Sequence, residues 1–274
     1  MTKHTHSIKA PLKLISCLYF LSISFFCEGQ TNVKPYFNFS TVVIDAGHGG
    51  KDPGAHGIYS FEKNIALTIA KKVRLKIKQE IGDVKVVMTR KTDKFIELNK
   101  RSETANKNNA NLFISIHCNS SPEGTKKLAH KYKGVMLLVY GYHRKQEQME
   151  ALRENASIYI EKDYKNNYAW YNEKDPSSLI ILNNFMAKYR KQSILFGEIL
   201  NKQFVNVDDR ESAGVKEQGV LVLAHSAMPA VLVETGYINN RAEEKYLNSE
   251  AGQNEIAGSI VNAIKIYRTE IKTK

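Results

Sequence analysis

Three apolar runs of this chain each lead to one ionisable side chain. The first run enters a glycine-rich turn that holds His48, the second ends at His117, and the third ends at Glu234. Short apolar runs rich in β-branched residues predict buried strands. Open α/β sheets bind ligands in the crevice outside the carboxyl ends of their strands. We therefore predict that two imidazoles and a carboxylate line one crevice.

A second carboxylate, Glu62, opens a predicted helix. Ser60 can cap this helix, and side chains spaced four apart form its apolar stripe. Glu62 lies three residues before Ile65, the first member of that stripe, and so on or beside the buried face. The helix dipole favours an acidic residue in the first turn, but it does not explain why Glu62 lies on or beside the buried face of the helix. A carboxylate on the buried side needs a cation or a metal as its partner.

Together these four side chains are suited to one zinc ion. Two histidines and one glutamate, with the fourth position left to water, form a known catalytic zinc set. The remaining carboxylate would then move protons. The sequence has 13 residues between His48 and Glu62 and 54 between Glu62 and His117, a spacing that defines no structural zinc finger. The residues alone leave open which carboxylate binds the metal.

The elements that must position these residues alternate along the chain. Apolar, β-branched runs predict strands at 41–45, 84–89, 112–117, 134–140, 220–224 and 230–234. Helical periodicity predicts helices at about 60–80, 97–109, 188–204 and 254–274. This alternation predicts an α/β domain with a central sheet of about six strands and helices on both faces.

One connection, residues 141–188, is far longer than the roughly two to six residues of an ordinary loop. We call it the inserted segment. It contains a predicted helix whose apolar stripe is Met149, Leu152, Ala156 and Tyr159. An apolar patch follows at 179–182, and exposed apolar patches usually mark contact with a partner.

The first 29 residues predict a secretory signal rather than part of the fold. Lysines precede an apolar run at 14–26, and a short polar stretch follows. The run is shorter than the ~20 apolar residues of a spanning helix, so no transmembrane helix is expected after removal of the signal. A retained anchor is the alternative, and the residues before Cys27 form a poor lipobox for lipidation. The remaining chain divides into a linker at 30–40 and a domain at 41–274.

Charge and cysteine content agree with export. The chain has 274 residues and a formal charge of +12, which becomes +10 when the three lysines and one glutamate of residues 1–29 are removed. A basic exported protein suits an anionic polymer or a membrane surface, and export argues against nucleic acid. Cys118 is the one cysteine outside the signal, so no internal disulfide is expected. It follows His117 on the predicted strand and should point away from the metal.

The sequence resembles the zinc-dependent N-acetylmuramoyl-L-alanine amidases of the amidase type 3 family in four ordered blocks. The first block is D-A-G-H-G-G-K-D-P-G at 45–54, which is followed by the helix that opens on Glu62. The second is L-N-K-R-S-E-T-A-N at 98–106, and the third is S-I-H-C-N at 115–119. The last begins at Met228 and contains Glu234. Blocks this numerous and ordered make the resemblance specific.

The resemblance implies a function and a role for each candidate residue. His48, Glu62 and His117 would bind one Zn²⁺, and Glu234 would be the catalytic carboxylate. The substrate would be peptidoglycan, cut between N-acetylmuramic acid and L-alanine by an exported enzyme of the periplasm or cell exterior. The inserted segment is similar in placement to the regulatory segment of the division amidases, in which a helix covers the zinc until an activator protein displaces it. This resemblance implies that residues 141–188 form such a cover; the alternative is an elaboration that stabilises the domain or binds substrate.

Two other functions stay open at this point. A zinc peptidase acting within the stem peptide would leave the bond between muramic acid and alanine intact. A non-catalytic peptidoglycan-binding module would bind the wall without zinc-dependent release, although such a module need not keep the four poised side chains. For Arg101 and Asn106, which belong to the second block, we expect structural rather than catalytic roles.

Overall fold

A six-stranded sheet forms the centre of this protein in a computed structural model. The strands are β1 (Thr41–Ala46), β2 (Lys85–Met88), β3 (Leu112–Asn119), β4 (Val135–Tyr140), β5 (Ser212–Gln218) and β6 (Ala230–Tyr237). Their order across the sheet is β2-β1-β3-β6-β4-β5. The first four in this order run parallel, whereas β4 is antiparallel to β6 and parallel to β5. The predicted α/β architecture with about six strands is confirmed.

The structure describes residue 1 and residues 38–122, 126–141, 148–168 and 176–272, without the side chains of 126–128 and 176–187. The predicted signal at 1–29 and most of the linker at 30–40 lie outside the described residues, apart from residue 1. Among the helices that are described, none combines the length and the apolar character that a membrane crossing needs.

Helices cover both faces of the sheet. They are α1 (Glu62–Glu80), α2 (Leu98–Lys107), α3 (Met149–Asn155), α4 (Tyr164–Asn167), α5 (Pro176–Asn206), α6 (Leu221–Ala224), α7 (Arg241–Asn248) and α8 (Glu250–Lys272). Helices α1, α5 and α8 share one apolar core with the sheet, and α2, α3 and α6 share a second core on the opposite face. Short 3₁₀ helices occupy Lys126–Lys131 and Ala156–Ile160.

The prediction of a strand at 220–224 is wrong. These residues include the short helix α6, and all four of its residues are buried. A short apolar run that is buried on every side has no periodicity to separate helix from strand. The fifth strand is instead β5, a largely polar sequence at the edge of the sheet. An edge strand pairs on one side only and tolerates polar residues, so its sequence lacks the apolar signal of a central strand.

The third predicted helix begins earlier than expected. Helix α5 starts at Pro176, twelve residues before Lys188. Proline suits the first position of a helix, because the backbone N–H that it lacks would have no carbonyl partner within the helix there. The last part of the inserted segment therefore belongs to α5. The apolar patch at 179–182 lies on this helix, and its side chains are outside the described residues.

The topology brings the candidate residues to one edge. Strands β1, β3 and β6 are neighbours and run parallel, so their carboxyl ends meet. His117 and Glu234 are direct partners in the pairing of β3 with β6. All eight residues of β3 are buried, which fixes the direction of each side chain that leaves this strand.

Candidate metal centre and active site

The turn after β1 is held by two buried arginines. Arg101 donates to the carbonyl oxygens of Ala46 at 2.7 Å and His48 at 2.8 Å. Arg90 donates to the carbonyl oxygens of Ala46 at 2.9 Å and Gly47 at 2.6 Å. His48 itself has a φ of 57°, in the left-handed region that side chains other than glycine seldom adopt. These hydrogen bonds hold the turn in that conformation, and Arg101 has the structural part expected of it.

A carboxylate four residues further along the turn orients His48. The imidazole Nδ1 lies 2.8 Å from Asp52 Oδ2, and this leaves Nε2 pointing into the site. There Nε2 lies 3.1 Å from Glu62 Oε1 and 3.3 Å from Glu154 Oε2. Burial opposes ionisation, but the charge of Glu62 and the bond with Asp52 raise the pKa of His48 well above its ordinary value. A carboxylate on the far nitrogen is the arrangement that commonly orients a metal-binding histidine.

Glu62 is the first residue of α1 and is completely buried. Its Oε1 accepts from the Cys118 amide at 2.9 Å and lies 3.0 Å from His117 Nδ1, while its Oε2 accepts from the Ala55 amide at 2.8 Å. Burial would raise the pKa of this carboxyl, but the positive charge of His48 outweighs it and lowers the pKa to about 2. The structure thus places Glu62 on the buried face, as an ionised group held from three sides.

His117 lies between the carboxylates of Glu62 and Glu154 and the glycine-rich turn. Its Nδ1 is 2.7 Å from Glu154 Oε2. On its other side the ring packs so closely on Gly47 that a Cβ there would lie 2.4 Å from two ring atoms, so only glycine fits. The next residue, Cys118, points the opposite way, with its Sγ 3.5 Å from Thr235 Oγ1 and packed in the apolar core. This is the alternation that a strand imposes.

The inserted segment supplies another carboxylate, Glu154, which the sequence did not single out. Glu154 and Ala151 are the buried residues of α3. The apolar side chains that predicted its packing face are largely solvent-exposed instead: Met149 is 57%, Leu152 66% and Tyr159 68% exposed. Polar contacts to the site, rather than an apolar stripe, therefore set the orientation of this short helix.

Arg153, which precedes Glu154 on α3, forms an ion pair with Glu234. Its Nη2 lies 2.7 Å from Glu234 Oε1, and Glu234 is completely buried in the carboxyl-terminal half of β6. Burial raises the pKa of Glu234 to about 8, against the opposing charge of Arg153 and with support from the negative charge of Glu154. The candidate catalytic carboxylate is thus covered by a guanidinium of the inserted segment.

The four clustered side chains fit a metal ion. Each of His48, Glu62, His117 and Glu154 offers one ligand atom, and these atoms lie within 4.8 Å of one another. The buried His48 Nε2 lies 3.1 Å from Glu62 Oε1 and 3.3 Å from Glu154 Oε2, and Glu154 Oε2 lies 2.7 Å from His117 Nδ1. These buried atoms face one another, and one cation between them would bind all of them. Two imidazoles and two carboxylates are a donor set that Zn²⁺ accepts.

The inserted segment closes this site. A small cavity beside the cluster is lined by Glu154, Asn155 and Ser157 on one side and by His48 and His117 on the other. Solvent or substrate that approaches the imidazoles from this side meets the segment first. In this structure the inserted segment therefore covers the candidate metal centre.

Polar contacts attach the inserted segment to the domain around the site. The Asn155 side chain donates to the Gly219 carbonyl and accepts from the Leu221 amide, both at 2.8 Å. Glu161 accepts from the Leu98 amide at 2.8 Å. The Tyr168 hydroxyl accepts from the Asn99 amide at 3.3 Å and, within the segment, donates to Glu161 at 2.8 Å. Lys51 Nζ also donates to the Ile160 carbonyl. The segment is thus attached by hydrogen bonds, which can be replaced by bonds to water or to another protein.

Two site residues that sequence reasoning missed carried weak signals. Asp52 lies four residues after His48 in a tight turn, close enough to reach its ring. Glu154 lies in a helix whose apolar pattern pointed to another face, and only its charge beside Arg153 distinguished it. Asn106, expected to be structural, bridges the turn before β6: it donates to the His225 carbonyl at 2.8 Å and accepts from the Ala227 amide at 2.9 Å.

Comparison with known proteins gives matches over most of the chain. Residues 42–266 match the family model described as N-acetylmuramoyl-L-alanine amidase. A putative N-acetylmuramoyl-L-alanine amidase of Buchnera aphidicola is 35% identical over 227 residues, which cover 82% of this chain and 95% of that protein. The N-acetylmuramoyl-L-alanine amidase AmiC of Escherichia coli is 32% identical over 231 residues, which cover 82% of this chain and 52% of AmiC. The chain thus matches about half the length of this second relative.

A solved structure gives the same result for the fold. The catalytic domain of CwlV, an N-acetylmuramoyl-L-alanine amidase from Bacillus (Paenibacillus) polymyxa, aligns with a TM-score of 0.60 and 30% sequence identity. The alignment covers 84% of this chain and 98% of that domain. The likeness therefore extends over the sheet and the helices that position the cluster.

Proposed function

Because the chain belongs to the N-acetylmuramoyl-L-alanine amidase family, we propose that it is a zinc hydrolase of peptidoglycan. It would cut the amide bond between N-acetylmuramic acid and L-alanine. The observation that carries this proposal is the convergence of His48, Glu62 and His117 on one point. The buried carboxylate of Glu234 lies beside them, opposite His117 on the neighbouring strand.

The metal and the protein divide the chemistry. A zinc ion held by His48, Glu62 and His117 would polarise the substrate carbonyl and lower the pKa of a bound water. Glu234 takes a proton from the attacking water and later gives it to the leaving amine nitrogen. Burial raises the pKa of the Glu234 carboxyl toward the neutral range, and a general acid–base group works best when its pKa is close to the operating pH.

The inserted segment would hold this enzyme inactive. Glu154 occupies the position beside the two imidazoles that water and the substrate carbonyl need, and Arg153 covers Glu234. Catalysis then requires that the segment at 141–188 move away. We assign this displacement to an activator protein that binds the inserted segment, and its polar attachments to the domain allow such an exchange.

The cellular role would be turnover of the cell wall or separation of daughter cells. The predicted signal at 1–29 would direct the protein to the periplasm or cell exterior, where peptidoglycan lies. An enzyme that cuts wall in that compartment needs control in space and time, and a covered active site provides it. Export and lipidation are testable by the mass of the mature protein recovered from cells.

Digestion of purified peptidoglycan tests the function. The samples are the purified protein and its Glu154→Ala variant, each with chelator and with added zinc, and mass spectrometry identifies the products. We expect free stem peptides that begin at L-alanine, more from the variant, none with chelator, and recovery with zinc. Fragments cut within the stem peptide would identify a zinc peptidase. Binding of the wall without any product from either sample would identify a binding module.

A further inference from the structure

The guanidinium of Arg153 lies in a pocket of oxygen acceptors that belongs to the strand ends. Its Nη1 donates to Asn119 Oδ1 at 2.6 Å and to the Ser120 carbonyl at 3.2 Å. Its Nη2 donates to Glu234 Oε1 at 2.7 Å. Apart from two bonds to Oε1 of the neighbouring Glu154, the partners of this guanidinium come from β3, β6 and the residue after β3. The pocket is thus a property of the sheet, and the inserted segment fills it.

Asn119 is fixed in this pocket and has a spare donor. It is the last residue of β3, is 1% exposed, and its carbonyl accepts from the Ile238 amide at 2.8 Å. The Ser120 amide donates to Asn119 Oδ1 at 2.7 Å, which turns the oxygen toward Arg153. The Nδ2 atom is buried and makes no hydrogen bond within the described structure. An ammonium cannot accept from this donor, so Oδ1 is the atom through which Asn119 would bind an amine.

Arg153 and Glu154 together present the hydrogen-bonding groups of an amide, an acceptor oxygen on one side and N–H donors on the other. Glu154 puts an oxygen beside the imidazoles of His48 and His117, where a substrate carbonyl would lie. Arg153 puts N–H donors against Glu234 and Asn119, where the nitrogen of the same amide would lie. Two consecutive residues of α3 thus occupy the carbonyl side and the nitrogen side of the reaction centre.

We propose that Asn119 Oδ1 and the Ser120 carbonyl, with Glu234, form the subsite that receives the amine leaving group. This rests on the proposed amidase function. The oxygen of water bonds to the carbonyl carbon, and one of its protons passes to Glu234. The C–N bond breaks, its electron pair stays on nitrogen, and nitrogen takes that proton from Glu234. The acid product then loses a proton and the amine gains one, so that three N–H groups of the ammonium face three acceptor oxygens.

The geometry makes a prediction about products. A peptide with a free amino terminus carries an ammonium that satisfies all three acceptors, whereas an N-acetylated peptide has one N–H and no charge there. Hydrogen bonds to charged groups are among the stronger ones in proteins. The subsite should therefore prefer the free amine, and Asn119 should be responsible for a large part of this preference.

Calorimetry with two dipeptides tests the subsite. The probes are L-alanyl-D-glutamate and its N-acetyl form, titrated with zinc present into the Arg153→Ala/Glu154→Ala protein, in which the pocket is open. We expect the free amine to bind about 10-fold more tightly than the acetylated form. Adding Asn119→Ala should abolish most of this preference. Asn119→Asp, which keeps an acceptor oxygen in place, should retain it.

Controls separate the subsite from general damage. Asn239→Ala removes a nearby amide that bonds Ser121 and lies outside the pocket, so it should leave the preference unchanged. A preference that survives Asn119→Ala, disappears in Asn119→Asp, or is lacking in the open parent protein would overturn the proposal. These results are independent of the digestion of peptidoglycan. If peptidoglycan is hydrolysed but the preference does not depend on Asn119, only the subsite is refuted. If no products of amide-bond cleavage form, the proposed function itself is refuted.

Discussion

The strand ends and the inserted segment meet at one centre but are built in different ways. On the strand side, His117 and Asn119 leave a strand whose eight residues are all buried. On the segment side, Arg153 and Glu154 leave a seven-residue helix whose large apolar side chains are mostly exposed. The fold fixes the first group of residues, and the charges of the site hold the second. We call the strand ends the frame, and the inserted segment, which lies over the centre in this structure, the cover.

The inserted segment and the strand ends also differ in the free energy that holds them in place. A typical hydrogen bond contributes about 0.5–1.5 kcal/mol net to stability, and the segment relies on a small number of them together with ion pairs. Truncating a large apolar side chain in a core such as that around β3 costs about 2–5 kcal/mol. Local opening of the segment therefore requires less free energy than disturbance of the frame. The following predictions test this ranking.

The largest effect is expected in the frame, at Glu234. In the Glu154→Ala background, Glu234→Ala should lower the rate of stem-peptide release by about 10²–10⁴-fold, because the proton transfers lose their carrier. Zinc content, measured on the same samples, should not change, since Glu234 is not among the clustered ligand atoms. An undiminished rate would remove Glu234 from the mechanism.

The next effect concerns the support of His48. Asp52→Ala removes the carboxylate 2.8 Å from its Nδ1 and should weaken zinc affinity by about 10- to 100-fold, measured by competition with a chromogenic chelator. Asp93→Ala is the matched control, because Asp93 is a half-exposed carboxylate that bonds the same loop at Gly50. Equal loss in both variants would mean that the loop, rather than the orientation of His48, sets the affinity.

A smaller effect of opposite sign is expected in the cover. Glu154→Ala should raise the rate of peptidoglycan hydrolysis by about 10-fold, because it removes a carboxylate that competes for the two imidazoles. Leu152→Ala, on the exposed side of the same helix, should leave the rate unchanged. If Glu154→Ala is no faster than the parent protein while zinc binding is intact, the segment is not inhibitory.

The smallest effect is expected at the attachment of the cover. Tyr168→Phe removes the hydroxyl that accepts from the Asn99 amide of the domain at 3.3 Å and orients Glu161 by a bond of 2.8 Å. It should raise the basal rate roughly 2- to 10-fold. Tyr159→Phe, at an exposed position, serves as the control. A decrease in rate on Tyr168→Phe would indicate that this part of the segment helps catalysis instead of covering it.

The sequence could predict the frame because its signals are local. An apolar strand that ends in a single ionisable residue, such as His117 or Glu234, indicates both burial and direction. Glu62 is recognisable since its helix carries a clear apolar stripe. The parallel pairing of the three strands then brings these residues together without further information.

The cover could not be predicted in the same way. The orientation of α3 depends on Glu154 and Arg153 reaching partners far away in the chain, and this overrides the apolar pattern of Met149 and Leu152. The strand β5 escaped notice because an edge strand needs few apolar residues. The four residues of α6 are buried on all sides, a setting in which periodicity carries no information.

Cys118 gives this architecture a chemical reporter. Burial raises the pKa of its thiol well above the ordinary value, so the reactive thiolate is scarce in the folded protein. The Cys118 amide also donates to Glu62, so exposure of Cys118 also breaks a bond that holds the Glu62 carboxylate. The rate at which an alkylating reagent labels Cys118 would therefore time the opening of the sheet, while displacement of the inserted segment alone would leave the thiol unlabelled.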